Sequence, residues 1–498
     1  MSQMYLNLFI VFSGWIKNFK KGKIKAGMVE KIRTRFAPSP TGYLHIGGLR
    51  TALFEYAYAK THGGEFILRI EDTDRKRFVP GATEKLISIL RVFGIEHDEG
   101  PGVEGPYTPY IQSQRVKSGL YEDWAKELIA KGHAYYCFCR GISKGKIDKL
   151  HKEKIVNLRD KCRNLSKDEV SKRLSEGKKP AIRLRVPDTG SISYHDFILE
   201  REISWELADV DEAMLLKSDG YPTYHLAVVV DDILMDINPI LRGFEWIPST
   251  PIHLLLYKYF GKKPPKIGHF SLILDPEGGK LSKRKGNVSC EDFLAQGFLP
   301  EAILNFVMLL GWAPKNNREM FNLPEYVKEF KNGSFQIANA VFNRDKLDWF
   351  NGEYIRKTQD SKLRNQIYNF YKGKYNKALL DKIIPLVKER IVKLSDFESL
   401  AGFFYKAPKV DDKLLTGDWK KHLESALKAI EKVDDWKLEN INESFMDFIK
   451  KEGFKTGEFF MSLRIVITGS KFTPPINESI EILGRKETIA RLSKVLKK

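Results

Sequence analysis

The amino-acid sequence predicts an α/β protein in which a parallel sheet is interrupted by an insertion and followed by an all-helical region. Strand-like and helix-like segments alternate over residues 33–93, which is typical of βαβ units. Residues 140–180 are crowded with Lys and Glu and have weak periodicity, so they interrupt this pattern. Strand signals nearly vanish after Pro300, and residues 360–498 have the spacing of successive amphipathic, Lys-rich helices.

The first half of the sheet is predicted from four segments. They are separated by a Pro- and Gly-rich loop and by the glycines that follow each helix. These segments are a strand over Arg33–Phe36, a helix over Leu49–Thr61, a strand over Glu65–Ile70 and a helix over Thr83–Phe93. Because the order is strand, helix, strand, helix, the two strands should be parallel neighbours.

Helices are also predicted in and after the insertion. Ser113–Lys131 has the spacing of one helix, and small helices are expected over 140–180. Thr250-Pro251 begins a further helix, with Thr250 as the N-cap and the proline in the first turn.

The return to the sheet is predicted as a hairpin. Met214–Lys217 and a strand from Tyr224 onward would flank a turn at Asp219-Gly220. The continuous apolar run Leu226–Val230, which ends at Asp231-Asp232, indicates a strand buried on both faces.

Composition limits the classes of function. The 498 residues include 83 Lys plus Arg against 64 Asp plus Glu, and the net charge of +19 favours a polyanionic partner such as nucleic acid. Four Cys exclude a disulfide scaffold. No stretch is long and apolar enough to span a bilayer, and the run Met4–Phe12 lacks the flanks of a signal peptide. We therefore expect a cytoplasmic protein without a membrane partner.

Two motifs could carry chemistry. His45-Ile46-Gly47-Gly48 lies at the start of the first helix, where backbone N–H groups favour an anion and glycines let a ring or a phosphate approach the main chain. Lys280–Lys285 follows a Gly-rich turn and offers four cations and a hydroxyl, which suits a polyphosphate. Each motif alone is also compatible with an ordinary loop.

Together the two motifs resemble the HIGH and KMSKS motifs of class I aminoacyl-tRNA synthetases. Arg33–Gly42, Arg69–Arg75 and Asp219–Asp232 more specifically resemble bacterial-type glutamyl-tRNA synthetases, in register from about residue 31 into the helical C-terminal half. The sequence departs from the family pattern at Gly48, which replaces the last histidine of HIGH and removes one potential phosphate donor. The second motif reads Lys-Leu-Ser-Lys-Arg, which keeps the cations.

The resemblance implies a class I synthetase fold: a Rossmann-type parallel sheet with an inserted acceptor-binding domain, then an all-α anticodon-binding region. The implied division is a disordered N-terminal extension at 1–30, the first half of the catalytic domain at 31–112, the acceptor-binding insertion at 113–213, the second half of the catalytic domain at 214–279, the KMSKS-like loop and stem-contact region at 280–355, and the anticodon-binding region at 356–498.

The resemblance also implies a reaction in which ATP activates L-glutamate to glutamyl-adenylate, and glutamate is then transferred to the 3'-terminal adenosine of tRNA. Because both steps add negative charge to oxygen, placed donors and cations are needed, with Mg²⁺ on the phosphates, and no covalent nucleophile. His45, Lys280 and Lys283 are the candidate catalytic donors. Glu245 and Trp246 would hold the ribose and the adenine. The residues expected at ATP are His45, Gly47, Gly48, Glu245, Trp246 and Lys283.

The glutamate pocket implied by the resemblance contains two arginines, Arg35 and Arg242. A buried substrate carboxylate requires a facing cation, and a guanidinium matches it with two parallel hydrogen bonds. Glu71 would take the substrate ammonium. Further contacts are expected from Ala37, Ser39 and Tyr224. The alternative is that both arginines are ordinary ion-pair partners of Asp72 or Glu245.

The cysteines of the insertion resemble the zinc pattern of the family. Cys137, Cys139 and Cys162 match three ligands, but Asn164 occupies the position of the fourth, a histidine, and Asn is a poor zinc ligand. Three thiols with a water or with His151 could form a Zn²⁺ site, and free thiols are the alternative.

A glutaminyl-tRNA synthetase-like enzyme and a non-catalytic tRNA-binding relic remain alternative functions at this point. The expected partners are L-glutamate and tRNA(Glu), and the sequence leaves open whether tRNA(Gln) is also a substrate. Alignment around Leu386–Arg390 places Arg390 near the last anticodon base, where an arginine could favour C. We expect a monomer.

Overall fold

A computed structural model describes residues 31–103, 105–139, 161–281 and 288–497. The expected extension at 1–30, the first part of the expected small helices at 140–160 with His151, and Lys283 lie outside the described residues. Among the helices that the structure describes, none combines the length and the apolar character that a membrane span requires.

The described strands are β1 (Arg33–Phe36), β2 (Glu65–Leu68), β3 (Ala134–Cys137), β4 (Ala181–Leu184), β5 (Ser191–Asp196), β6 (Arg201–Glu206), β7 (Met214–Leu216), β8 (Ile240–Gly243), β9 (Ile267–Phe270), β10 (Ile273–Leu274), β11 (Trp312–Ala313), β12 (Ser334–Phe335) and β13 (Ala340–Val341). The described α-helices are α1 (Ile46–Thr61), α2 (Ala82–Val92), α3 (Gln112–Val116), α4 (Leu120–Ala130), α5 (Lys167–Ser175), α6 (Tyr224–Leu234), α7 (Thr250–Tyr259), α8 (Cys290–Ala295), α9 (Pro300–Met308), α10 (Leu323–Phe330), α11 (Arg344–Lys357), α12 (Asp360–Phe370), α13 (Lys377–Val387), α14 (Asp396–Ala401), α15 (Trp419–Glu431), α16 (Leu438–Glu452), α17 (Thr456–Thr468), α18 (Ile476–Leu483) and α19 (Arg485–Leu496).

The predicted βαβ start is confirmed. Strands β1 and β2 are parallel, with Arg33 opposite Glu65, and α1 connects them. Gly64 precedes β2, and a Cβ there would lie 2.3 Å from the Ile32 carbonyl oxygen, so the close approach of the two chains requires glycine.

A second, four-stranded sheet has the order β6-β5-β9-β8, with β8 and β9 parallel. Strand β5, from the segment predicted as the insertion, joins β9 at Asp196 and Ile267. Reciprocal backbone hydrogen bonds of 2.9 Å between Arg33 and Asn238 attach β1 to the start of β8. The carboxyl ends of β1 and β8 lie side by side, where Arg35 Nη1 donates to the Leu241 carbonyl oxygen at 3.2 Å. Ligands bind at such strand ends in sheets of this kind.

The predicted strand from Tyr224 through Leu226–Val230 is wrong, because this segment is the helix α6. The Asp219-Gly220 turn is present, but the returning chain pairs only at an isolated bridge between Leu216 and Pro222. Every residue of α6 from Leu226 to Leu234 is buried. A helix buried on all sides has no polar face, so its sequence is a continuous apolar run that periodicity cannot distinguish from a buried strand.

Two predicted helix boundaries also change. The helix expected over Ser113–Lys131 is two helices, α3 and α4, because Gly119 between them has φ +76°. The N-cap of α7 is Ser249, so Thr250 belongs to the helix. The Thr250 hydroxyl donates to the Trp246 carbonyl oxygen at 3.2 Å and does not cap the helix.

A three-stranded antiparallel sheet of order β3-β4-β7 joins two strands of the segment predicted as the insertion to β7, which was predicted to belong to the second half of the catalytic domain. The region after Pro300 is mainly helical, as predicted. Two pairs of two-residue strands, β10 with β13 and β11 with β12, were not indicated by the sequence. A strand of two residues is too short to show the alternation that identifies strands.

Candidate active site

A cleft of about 540 Å³ opens at the carboxyl ends of β1 and β8 and at the first turn of α1. It gathers residues from six separate sequence segments. The predicted site residues that line it are Arg35, Ala37, Ser39, His45, Gly47, Gly48, Glu71, Tyr224, Arg242, Glu245, Trp246 and Lys280. The structure therefore brings together every ATP- and glutamate-site residue predicted from the sequence within the part of the chain that it describes.

His45 is the N-cap of α1, where its Nδ1 accepts a hydrogen bond from the Gly47 N–H at 3.0 Å. The neutral ring consequently carries its proton on Nε2, from which it can donate to a phosphate oxygen. The loop is attached to the segment that follows the KMSKS-like motif, because Ile46 N donates to the Val288 oxygen at 3.0 Å and Cys290 N to the Leu44 oxygen at 2.8 Å.

Glu245 and Lys280 form an ion pair across the cleft entrance, with Lys280 Nζ 3.1 Å from Glu245 Oε1. Both side chains are about half exposed. Gly243 makes room for this carboxylate, since a Cβ at Gly243 would lie 2.2 Å from Glu245 Oε2. The sequence did not indicate this pair, because the two residues are 35 positions apart.

Two aromatic side chains that line the cleft, Tyr224 and Trp246, pack against each other. The Tyr224 and Trp246 ring centroids are 4.2 Å apart at an interplanar angle of 31°. Burial raises the pKa of Tyr224, so it is a neutral phenol at physiological pH.

Arg35 is compensated by carboxylates of the protein. Its Nε and Nη2 donate to the two carboxylate oxygens of Asp232 at 3.1 and 3.2 Å, and its Nη1 donates to Glu55 Oε1 at 3.4 Å and to the Leu241 carbonyl oxygen at 3.2 Å. The alternative pairing of Arg35 with Asp72 is therefore wrong, because the carboxylate partners of Arg35 are Asp232 and Glu55, and Asp72 accepts from Arg75 at 2.9 Å. The carboxylate run Asp231-Asp232 inside a buried segment was the signal that could have identified this partner, since buried charges are paired.

Glu71 lies beside this network and accepts from Arg69 Nη2 at 3.0 Å, and Arg69 Nη1 donates to Asp232 at 2.7 Å. Burial raises the pKa of Glu71 to about 7, although Arg69 and Arg35 act in the opposite direction. Burial acts to raise the pKa of Asp232, but the charges of Arg35 and Arg69 hold this pKa below its ordinary value. Glu71 is thus a carboxyl that titrates near neutral pH at the wall of the cleft.

Arg242 differs from Arg35 because its three protein partners are neutral. Its Nε donates to His269 Nε2 at 3.0 Å, its Nη1 to His253 Nδ1 at 2.9 Å and its Nη2 to Thr250 Oγ1 at 2.8 Å. The alternative pairing with Glu245 is wrong, since Glu245 pairs with Lys280. No carboxylate forms an ion pair with Arg242 in the described residues, although its side chain is buried. Sequence reasoning did not identify His253 and His269, because neither lies in a recognisable motif.

Residues 31–349 match the family model for the catalytic domain of class I tRNA synthetases (E and Q), and residues 355–496 match an anticodon binding domain. The chain is 42% identical over 482 residues to the glutamate–tRNA ligase of Borreliella burgdorferi, covering 92% of this chain and 97% of that protein. The glutamate–tRNA ligase of Clostridium acetobutylicum is 42% identical over 478 residues, covering 93% of this chain and 97% of that protein. The chain belongs to the glutamate–tRNA ligase family.

Solved structures agree with this family. A glutamate–tRNA ligase from Elizabethkingia meningosepticum, crystallised in complex with its amino acid, superposes with a TM-score of 0.82 at 35% identity, covering 94% of this chain and 99% of that one. The glutamate–tRNA synthetase of Elizabethkingia anophelis gives a TM-score of 0.81 at 35% identity, covering 94% of this chain and all of that one. The predicted family, the class I fold and an ATP-dependent aminoacyl-tRNA synthetase are thereby confirmed.

Three cysteines of the insertion also lie together in this member of the family. Cys137 and Cys139 come from the end of β3 and the residues after it, and Cys162 from the single turn Lys161–Asn164. Their sulfur atoms all lie within 4.8 Å of one another, and those of Cys139 and Cys162 are 3.4 Å apart. Two thiolates on one tetrahedral Zn²⁺ lie about 3.8 Å apart, given Zn–S bonds of about 2.3 Å. The three sulfurs therefore fit three positions of a zinc site.

Arg390 lies in the helical region, shortly after α13, and its side chain is exposed. Its Nη1 donates to the Leu386 carbonyl oxygen at 3.4 Å. No ion pair is found for Arg390 among the described residues, so the guanidinium can meet a partner from solution.

Proposed function

We propose that this chain activates L-glutamate with ATP, giving glutamyl-adenylate and diphosphate, and transfers glutamate to the 3'-terminal adenosine of tRNA(Glu). In the first step the substrate α-carboxylate attacks the α-phosphate of ATP, and diphosphate leaves. In the second, the terminal ribose hydroxyl attacks the glutamyl carbonyl, and AMP leaves. The observation that carries the proposal is a single cleft that holds both a helix N-terminus with His45 and a buried arginine, Arg242, that pairs with no carboxylate of the described residues.

ATP would bind at the α1 end of the cleft. His45 Nε2–H and Lys280 would donate to the phosphate oxygens on which negative charge develops. Gly47 and Gly48 would let the nucleotide approach the main chain, and Glu245 with Trp246 would hold the ribose and adenine. Lys283 would join Lys280 on the phosphates. Mg²⁺, which we expect to arrive with ATP, would neutralise charge on the phosphates.

Glutamate would bind at the other end of the cleft. Arg242 would face the side-chain carboxylate, and the ionised Glu71 would face the ammonium. Arg35 would add a hydrogen bond through the N–H of Nη2 that Asp232 leaves unused. The phenol of Tyr224 would line the pocket. The remaining contacts would come from Ala37 and Ser39.

The proposed zinc site would join β3 to the turn Lys161–Asn164 inside the insertion. Cys137, Cys139 and Cys162 would be its thiolate ligands, and a water or a residue outside the described part of the chain would take the fourth position, because Asn164 supplies only a weak amide ligand. The role would be structural, because zinc bound to cysteines from two segments contributes directly to folding.

The anticodon of the tRNA would bind to the helical region. We propose that Arg390 contacts the last anticodon base and favours C, which is the base of tRNA(Glu) at this position, whereas tRNA(Gln) carries G. Whether both are substrates is tested by aminoacylating the two purified tRNAs side by side. We further propose that the enzyme works as a monomer in the cytoplasm, where its tRNA substrates are found.

The decisive experiment is ATP–pyrophosphate exchange, run with glutamate or glutamine and with or without tRNA. We expect exchange with glutamate, dependent on tRNA as in the family. Exchange with glutamine alone would indicate a glutaminyl-type enzyme. An absence of exchange under every condition would overturn the enzyme proposal and favour a tRNA-binding relic.

A further inference from the structure

We propose that His253 and His269 are positioning residues that make the cleft select glutamate over glutamine, by orienting Arg242 without neutralising its charge. The inference rests on the proposed function, because it concerns the cation that faces the substrate side chain. It depends on the chemistry of the acceptor atoms around this one guanidinium.

The tautomers of both imidazoles follow from their partners. An arginine side chain only donates hydrogen bonds, so His269 Nε2 and His253 Nδ1, which face Arg242, are unprotonated acceptors. The proton of His269 is then on Nδ1, 2.6 Å from Asp196 Oδ2. The proton of His253 is on Nε2, 3.2 Å from His225 Nδ1. Each imidazole is therefore neutral and is oriented from its far side.

Burial and charge keep these rings neutral. His253 is 3% exposed and His269 is fully buried. Burial, together with the charge of Arg242, holds the pKa of both histidines below the ordinary value, although Asp196 opposes this shift at His269. A protonated ring would direct an N–H at the guanidinium and break the hydrogen bond.

The remaining N–H groups of Arg242 match a carboxylate. A guanidinium has five N–H groups. One each from Nε, Nη1 and Nη2 is used by His269, His253 and Thr250, which leaves one N–H on each terminal nitrogen. Arg242 lines the cleft, so these two groups are available for the two oxygens of a substrate carboxylate.

Arg35, in the same cleft, is an arginine whose hydrogen-bond acceptors include carboxylates, and it can therefore be compared with Arg242. Its Nε and Nη2 donate to the carboxylate of Asp232, so its charge is already balanced within the protein. The imidazoles and the hydroxyl that contact Arg242 are themselves neutral, and the carboxylate of Asp196 contacts His269 and not the guanidinium. With glutamine bound, no carboxylate would contact this buried guanidinium in the described part of the chain, whereas glutamate supplies one. We infer that neutral acceptors are what gives Arg242 its selectivity.

The test separates orientation from charge with matched variants. His253→Asn keeps a neutral oxygen acceptor near the position of Nδ1, and His253→Asp places a carboxylate there. His269→Gln and His269→Glu form a second pair, at the position of Nε2, in case one His253 variant does not fold. Aminoacylation is measured with tRNA present, giving kcat and the KM values for glutamate and ATP, and the same rates are measured with glutamine.

We expect the neutral variants to keep kcat/KM for glutamate within about tenfold of the original enzyme. The carboxylate variants should raise the KM for glutamate at least about thirtyfold above their neutral counterparts, leave the KM for ATP unchanged, and lower the preference for glutamate over glutamine at least about tenfold. A merely structural role would affect both members of a pair equally.

Two failures can be distinguished. If the original enzyme aminoacylates tRNA with glutamate but the members of each pair differ less than about threefold in KM for glutamate, the positioning role of the histidines is wrong while the proposed function stands. If the original enzyme does not use glutamate at all, the proposed function is wrong and this inference fails with it.

Discussion

We expect the positive charge of Arg242 to contact the negatively charged side chain of the substrate. Removing one partner of a buried charge pair costs about 2–5 kcal/mol. We therefore expect Arg242→Ala to lose most activity with glutamate, measured as kcat/KM under saturating ATP and tRNA. Affinities for ATP and tRNA, measured in parallel, should be unchanged. A change below about threefold, which is less than about 1 kcal/mol, would contradict the assignment.

The raised pKa of Glu71 predicts that activity with glutamate decreases at acidic pH. Burial raises its pKa from 4.5 to about 7, so the carboxyl gains a proton as the pH falls through 7 and loses the charge that would face the substrate ammonium. The pH profile of kcat/KM reports groups of the free enzyme. We expect kcat/KM for glutamate to fall below pH 7.

The variant Glu71→Gln is the control for this profile. It should have low activity at every pH, and its profile should lack the limb near pH 7. An unchanged acid limb in this variant would show that another group titrates there.

At the scale of elements, Gly64 tests the close contact between β1 and the start of β2. A Cβ at this position would lie 2.3 Å from the Ile32 carbonyl oxygen, which accepts the hydrogen bond from Glu65 N. We expect Gly64→Ala to reduce stability by about 1–3 kcal/mol, because the two strands must separate to admit the methyl group. Urea unfolding followed by fluorescence measures the effect.

Gly457 supplies the matched control, because it lies in the first turn of α17 and a Cβ there would meet nothing within 4 Å. Gly457→Ala should be neutral or stabilising by about 0.4–1 kcal/mol. Equal effects of the two substitutions would show that the contact with Ile32 is not limiting.

The cysteine cluster predicts a metal content for the insertion. We expect about one Zn²⁺ per chain by elemental analysis of the purified protein, because three cysteine sulfurs already lie within 4.8 Å of one another. Cys162→Ser should lose this metal, whereas Cys290→Ser, a buried cysteine outside the cluster, should keep it. Well under one zinc per original chain would leave the cluster as free thiols.

At the scale of the whole molecule, the net charge of +19 predicts that tRNA binding depends steeply on salt. Each phosphate neutralised by Lys or Arg releases counterions, so the logarithm of affinity falls linearly with the logarithm of salt concentration. We expect the affinity for tRNA to fall at least about tenfold between 50 and 200 mM salt. Fluorescence anisotropy of labelled tRNA measures it, and a flat response would mean that the basic surface is not the tRNA-binding surface.

The sequence alone determined the order of elements in the first βαβ unit and the membership of the cleft. Arg33–Phe36 and Glu65–Leu68 are short strands bounded by strong turn signals, and these signals are local. The motif residues converge because helix starts and strand ends in a parallel sheet share one edge. The resemblance to class I synthetases implied that His45 and Arg242 belong to one site, and the structure places both in the cleft although they are far apart in the chain.

Only the tertiary structure decided what surrounds those residues. The segment Leu226–Val230 is helical, and its burial on all sides removes the polar face by which a helix is identified in a sequence. Arg35 and Arg242 are the same residue type in the same cleft, yet one meets Asp232 and the other meets His253 and His269. These partners come from distant segments that packing brings together. The sequence therefore determined which chemical groups are present, and the fold decided which of the two guanidinium groups is left to bind a substrate carboxylate.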